Sequence, residues 1–281
     1  MDNEVEKGKL IGKGMTAEVY EWGVNRVIKL FYPSIPLNWI QYEDRLCKVV
    51  SSAGIPAPAV FGIVETEGRC GIVYERVAGR TMLKFINSKP WKTAAYGKMM
   101  AQLHGRMHRS DGTGQRLPEQ KTKLAEAIRQ SDAVLGGRAD AICAYMEKLP
   151  GGSSICHGDF HPDNILLRGA GESAAVIDWT DAYVGNPLGD VARTSILLSS
   201  PFIPPGLPKL LIPALHIVKK VLNRSYLHTY FMQADTSQEK LDDWLLPVAA
   251  ARLRENLPGE RQWLLQLIDA RWARAEQSKS I

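Results

Sequence analysis

Three oxygen-bearing side chains between Ile155 and Asp181 are the first candidates for chemistry. The stretch reads ICHGDFHPDNILL, then a Gly- and Ala-rich gap, then VIDWTD. Asp159 offers a carboxylate that could orient and deprotonate a substrate hydroxyl. Asn164 and Asp178 offer the hard oxygen donors that Mg²⁺ prefers, with nucleotide phosphates completing the shell. A base and two metal ligands are the minimum that phosphoryl transfer from ATP requires.

These groups need elements to hold them. The runs Ile165-Leu166-Leu167 and Ala174–Ile177 read as short strands, and a hairpin between them would bring Asn164 and Asp178 together. Upstream, Leu10-Ile11, Glu18–Trp22 and Val27–Leu30 read as three strands, with Gly12, Gly14 and Ala17 in the turn between the first two. Glycines there let backbone N–H groups approach an anion. A Gly-x-Gly turn between two strands disfavours a βαβ dinucleotide unit and favours a kinase-type lid over ATP. Lys29 then becomes a strand-borne ammonium for the α- and β-phosphates. A helix over Leu37–Ala53, stopped by Gly54-Ile-Pro56, carries Glu43 as the carboxylate to hold that lysine. Strands Ala59–Val64 and Gly71–Tyr74 follow. The segment leaving them has backbone groups that adenine can use, placed at Glu75 and Val77.

The rest reads as helical. Helices are expected over Trp91–His108, Lys121–Leu135, Arg138–Leu149, Val191–Leu198, Ser237–Asn256 and Gly259–Ala275. His104 and His108 stand at i and i+4. Without a carboxylate or cysteine at useful spacing they read as structural histidines, not metal ligands. Asp190 is expected to accept hydrogen bonds from the backbone of the His157 loop.

Composition excludes several classes. The 281 residues are 45% hydrophobic and 23% charged, and the formal charge of +5 comes from 35 basic and 30 acidic residues spread along the chain. There is no basic run of the kind that binds nucleic acid or a membrane surface. The four cysteines form neither a CxxC pair nor a disulfide framework, which fits a reducing cytosol. The charged start MDNEVEKGKL has no apolar signal core, and no apolar run reaches membrane-spanning length. A cytoplasmic protein, monomeric or weakly dimeric, is the expectation.

Taken together, His157-Gly-Asp159-Phe-His161-Pro-Asp163-Asn164 and Ile177-Asp178-Trp179 resemble the motifs of the aminoglycoside phosphotransferase and choline kinase-like family. The resemblance runs from the glycine loop to the helices ending near residue 275. It implies an α+β, protein-kinase-like two-lobed fold, with a small antiparallel N-terminal nucleotide-binding lobe over residues 1–76 and a mainly helical C-terminal lobe over 77–281. It further implies Asp159 as catalytic base and Asn164 and Asp178 as magnesium ligands. Lys29 with Glu43 becomes the phosphate-binding pair, Gly12–Ala17 the nucleotide loop, and Glu75 and Val77 the hinge. ATP and Mg²⁺ are the implied cofactors, and the implied partner is a small molecule presenting a hydroxyl.

Departures from protein kinases are informative. Gly158 stands where those enzymes carry an arginine that reads a phosphorylated loop, Trp179-Thr180 replaces Phe-Gly, and no Ala-Pro-Glu follows. A protein kinase and a non-catalytic nucleotide-binding protein of the same fold are the alternative readings. For the acceptor, Asp181, Asp242, Asp243, Trp244 and Glu255 are candidates: acidic groups to hold an amine, and Trp to stack on a cation. From Pro201 onward, eleven Lys/Arg against eight Asp/Glu give no general negative field for a polycation. Choline, amino alcohols, homoserine-like compounds, sugars and aminoglycosides all stay open.

Overall fold

Alternating apolar positions in the first eighty residues build an antiparallel sheet. A computed structural model describes residues 7–169, 173–203 and 206–277, so Met1–Glu6 of the charged start and the end of the chain, 278–281, lie outside it. Strands β1 (Lys7–Lys13), β2 (Ala17–Trp22), β3 (Arg26–Phe31), β4 (Val60–Thr66) and β5 (Arg69–Glu75) form one sheet in the order β1-β2-β3-β5-β4. Helix α1 (Leu37–Ser52) lies between β3 and β4 in sequence and ends as Gly54 takes a left-handed φ of 72°, which a side chain would resist.

The period of two divides β3 between two cores. Ile28 and Leu30 pack with Trp22 and Val73, whereas Phe31 packs with Ala17, Ile72 and Ile40 of α1. Lys29 shares the Phe31 face and therefore points toward α1.

The chain packs into two compact units. The first is Met1–Met82 with Asp163–Asp181, and the second is Leu83–Pro162 with Ala182–Ile281. The sequence reading draws one boundary, at residue 76. In the structure the stretch holding Asn164 and Asp178 packs with the N-terminal sheet instead. There β6 (Arg80–Thr81), β8 (Ile165–Arg168) and β9 (Ser173–Val176) make a second small sheet, ordered β6-β8-β9.

The second unit is mainly helical. It contains α2 (Met82–Ser88), α3 (Thr93–Met107), α4 (Gln120–Gln130), the short α5 (Asp132–Leu135), α6 (Ala139–Glu147), α7 (Pro187–Ser199), α8 (Ile212–Gln233), α9 (Gln238–Arg252) and α10 (Arg261–Gln277). Two strands, β7 (Ser154–Cys156) and β10 (Tyr183–Gly185), pair antiparallel. Helix α3 packs most extensively on α8, and Gly97 permits it: a Cβ there would stand 2.7 Å from Leu222 O. Asn186 caps α7 by accepting from Leu188 N–H, with Pro187 at the first turn. Pro213 lies in the first turn of α8, where its missing N–H costs nothing. Among the described residues no helix is long and apolar enough to cross a membrane.

Candidate active site

In the first unit, Lys29, Glu43, Tyr74 and Asp178 form one cluster. Lys29 Nζ donates to Glu43 Oε1 at 2.7 Å, and Tyr74 O–H donates to the same oxygen at 3.0 Å. Glu43 reaches the sheet because it lies three residues after buried Ile40 on the inner face of α1. Burial works against the Lys29 charge, but Glu43 and Asp178 outweigh it and raise its pKa. Asp178 Oδ1 lies 3.8 Å from Lys29 Nζ and accepts from Thr180 Oγ1 at 3.0 Å.

The β8–β9 hairpin pairs Ile165 with Val176, and Ile177 N–H donates to Asn164 O at 2.9 Å. Asn164 and Asp178 therefore flank the same end of that hairpin. Asp178 takes a left-handed φ of 64°, while Trp179 beside it is buried and donates from Nε1 to Val176 O. An amide oxygen and a half-exposed carboxylate are a donor set suited to Mg²⁺.

The glycine turn is tight but roomy. Gly14 N–H donates to Ala17 O at 2.9 Å, and Tyr32 O–H donates to Gly14 O at 3.2 Å. Neither Gly12 nor Gly14 has a left-handed φ, and a Cβ at either would make only ordinary contacts. The chain's own packing does not require glycine at these two positions. The Ala17 methyl is buried in the core with Phe31, Ile40 and Ile72, so a ligand at this turn would meet its backbone and not its side chain. At the exit from β5, the Glu75 N–H donates to Ala59 O, and its carboxylate pairs with Arg168 at 3.1 Å. Val77 follows, half-buried, outside any strand.

In the second unit, Asp159 lies in the loop after β7. Arg193 Nη2 donates to its Oδ1 at 3.0 Å, His161 Nε2 lies 3.3 Å from its Oδ2, and its own N–H donates to His157 Nδ1. Burial opposes ionisation, but His161 and Arg193 outweigh it and hold the Asp159 carboxyl well below the usual carboxylate range. The loop itself hangs on Asp190, which accepts His157 N–H at 2.6 Å and Gly158 N–H at 2.9 Å, as expected from the sequence.

Asp190 also resolves the two histidines. His104 Nε2 and His108 Nε2 lie 3.0 and 3.2 Å from Asp190 Oδ2, while their Nδ1 atoms meet Tyr226 O–H and Tyr230 O–H, both at 2.7 Å. The sequence offers no nearby carboxylate for this pair; the fold supplies one more than eighty residues away. Burial, with His108 beside it, pushes the His104 pKa down to about 4, so the ring is neutral. Ionised Asp190 can only accept, so Nε2 carries the proton and Nδ1 accepts from the tyrosine. Two rings and two backbone amides thus satisfy a fully buried carboxylate with four donors.

The acceptor candidates separate. Glu255 accepts Arg193 Nη1 at 2.6 Å and Arg252 Nη1 at 2.8 Å, so one arginine joins it to Asp159. Asp242 pairs with Arg271 and Arg274 of α10, and Asp243 accepts from Tyr145 O–H. Asp181 lies in the first unit, where its charge adds to burial in raising the Tyr42 pKa. Trp244 is corrected outright. It is 1% exposed, its ring is against Gly189 of α7, and it cannot stack on a ligand. Arg193 is the residue that sequence reasoning missed; its only signal is that it stands one turn after Asp190.

Comparison with known proteins follows the same lines. The chain superposes on ethanolamine kinase of Plasmodium vivax with a TM-score of 0.60 at 14% identity, covering 95% of this chain and 77% of that one. An aminoglycoside phosphotransferase of Streptomyces rimosus gives 0.59 at 15% identity over 89% and 93%. Choline kinase LicA of Streptococcus pneumoniae gives 0.54 at 13% over 97% and 92%. Identities this low show the shared fold, an antiparallel sheet unit followed by a mainly helical part, as in protein-kinase-like phosphotransferases. A curated Bacillus subtilis protein, the uncharacterized YcbJ, is 46% identical over 41 residues, which span 15% of this chain and only 13% of that protein. The decisive match is broader. The model of the phosphotransferase enzyme family covers residues 7–212, from β1 through α7 to the start of α8, and the chain belongs to that family.

Proposed function

We propose that this protein transfers the γ-phosphate of ATP to a hydroxyl of a small molecule. The observation that carries the reading is the cluster of Lys29, Glu43 and Asp178. An ammonium fixed by one carboxylate, with a second carboxylate at 3.8 Å, is suited to a triphosphate with its metal. Lys29 would bind phosphate oxygens, and Glu43 and Tyr74 would hold it in place. The turn at Gly12 and Gly14, where packing does not demand glycine, leaves room for the backbone to approach an anion. Glu75 and Val77 would contact the base.

Asn164 and Asp178 would hold Mg²⁺, which supplies charge neutralisation at the β- and γ-phosphates when bound. Asp159 would accept a hydrogen bond from the acceptor hydroxyl and align its oxygen with the γ-phosphorus. The new O–P bond forms as the bond to the β–γ bridging oxygen breaks, and ADP leaves with that electron pair. With its pKa held low, Asp159 is a weak base and would take the hydroxyl proton late, once O–P bond formation has made that hydroxyl strongly acidic. Glu255 and Arg193 beside it would face the acceptor. A cytoplasmic location accompanies this reading.

The test is an ATP-consumption screen against alcohols, amino alcohols, sugars and aminoglycosides, with Asp159→Ala as control. The variant should stay folded, bind Mg-ATP and lose roughly 10²–10⁴-fold in turnover. Near-normal turnover in the variant would remove Asp159 from this role.

A further inference from the structure

A second feature of the helical unit lies on the outward face of α8. His216, Lys219, Lys220, Arg224 and His228 recur at spacings of three and four, which brings them to one side of the helix. They line a groove of about 550 Å³ with the end of α7 and the first turn of α9, and none of its lining residues is acidic. We propose that this groove binds a small organic anion carrying a phosphate or carboxylate group.

Charge alone would suit any polyanion, but the shape and lining narrow the choice. The volume falls in the range of small-molecule sites, about 300–1,000 Å³. Leu198 and Leu227 give the apolar part of an organic ligand a surface to cover, and Ser199 and Gln238 add neutral hydrogen-bonding groups. Asn223 Nδ2 donates to Ser195 Oγ at 3.1 Å and Ser199 Oγ at 2.8 Å, tying α8 to α7 and fixing the groove's width.

Lys219 is placed to meet the anion. Its ammonium has three donors, and two are used on Ser200 O at 2.7 Å and Phe202 O at 3.0 Å, which leaves one for a ligand. Burial lowers its pKa, so a bound anion would offset the loss of hydration. The groove is separate from Asp159. Arg193, which touches that carboxylate, lies six residues before Ser199, or about 9 Å along α7.

The test measures binding by the full chain without turnover, so its failure leaves the phosphotransferase reading untouched. Calorimetry would compare 3-phosphoglycerate, inorganic phosphate and uncharged glycerol. Saturable one-to-one binding of 3-phosphoglycerate, weaker binding of phosphate and none of glycerol are expected. Lys220→Glu/Arg224→Glu should weaken binding at least tenfold with an unchanged unfolding temperature. If charge reversal disturbs folding, Lys220→Gln/Arg224→Gln serves instead. No saturable binding of either anion, or equal affinity in the folded variant, overturns the proposal. Binding confined to phosphatidylglycerol vesicles or duplex DNA also overturns it, because the face would then be a polyanion surface.

Discussion

Arg193 holds two carboxylates at once, Asp159 at 3.0 Å through Nη2 and Glu255 at 2.6 Å through Nη1. The arginine is largely buried, so its charge acts on both at short range with little screening. Together with His161 it holds Asp159 ionised against burial, and its removal should be visible in a pH profile. For Arg193→Gln, the Asp159 pKa rises and the acid limb of turnover moves to higher pH. A loss of activity with an unmoved acid limb would mean that Arg193 acts only on shape.

The Lys29–Glu43 pair makes a stability prediction. Glu43 is nearly buried, and Lys29→Met would leave it with Tyr74 alone, at a cost near the low end of broken buried pairs, about 3 kcal/mol. The double variant Lys29→Met/Glu43→Leu should recover much of that loss in urea unfolding. Simple addition of the two single losses would show that the groups do not act as a pair.

Asp178 needs two substitutions to be read cleanly. Its left-handed φ suits Asp or Asn but strains Ala, by about 1–2 kcal/mol. Asp178→Asn should abolish metal-dependent nucleotide binding with little change in stability, whereas Asp178→Ala should lose both. Unchanged Mg-ATP affinity in the Asn variant would exclude the carboxylate as a metal ligand.

His104 predicts acid sensitivity. Its pKa falls from 6.5 to about 4 on folding, so between those values the unfolded chain binds a proton that the folded chain refuses. The contribution of His104 to stability is full above pH 6.5 and is lost progressively as pH drops toward 4. Urea unfolding at pH 7 and pH 5 measures it, and His104→Asn should flatten the slope. A wild-type protein equally stable at both values would contradict a neutral buried ring.

Much of this was legible in the chain because the signals are local. The stop at Gly54 and the alternation in Val27–Leu30 each lie within a few residues, and they carry α1 and β3. The Asp190 cluster was only half legible. Its backbone role was expected, but His104 and His108 meet it across 86 and 82 residues, a distance no periodicity records. Trp244 misled for another reason. Helix α9 touches α4, α6, α7 and α10, so it has little solvent face to impose an amphipathic pattern. Asp242 and Asp243 made it look surface-borne, although Leu241, Trp244, Leu246 and Val248 are all buried.

Helix α8 serves two masters. Its inner side, through Tyr226 and Tyr230, is locked to the histidines that hold Asp190, and Gly97 lets it lie close against α3. Its outer side bears the basic groove and answers to none of those constraints. Substitutions confined to that outer face can therefore reshape the groove without disturbing the contacts of His104 and His108 with Asp190.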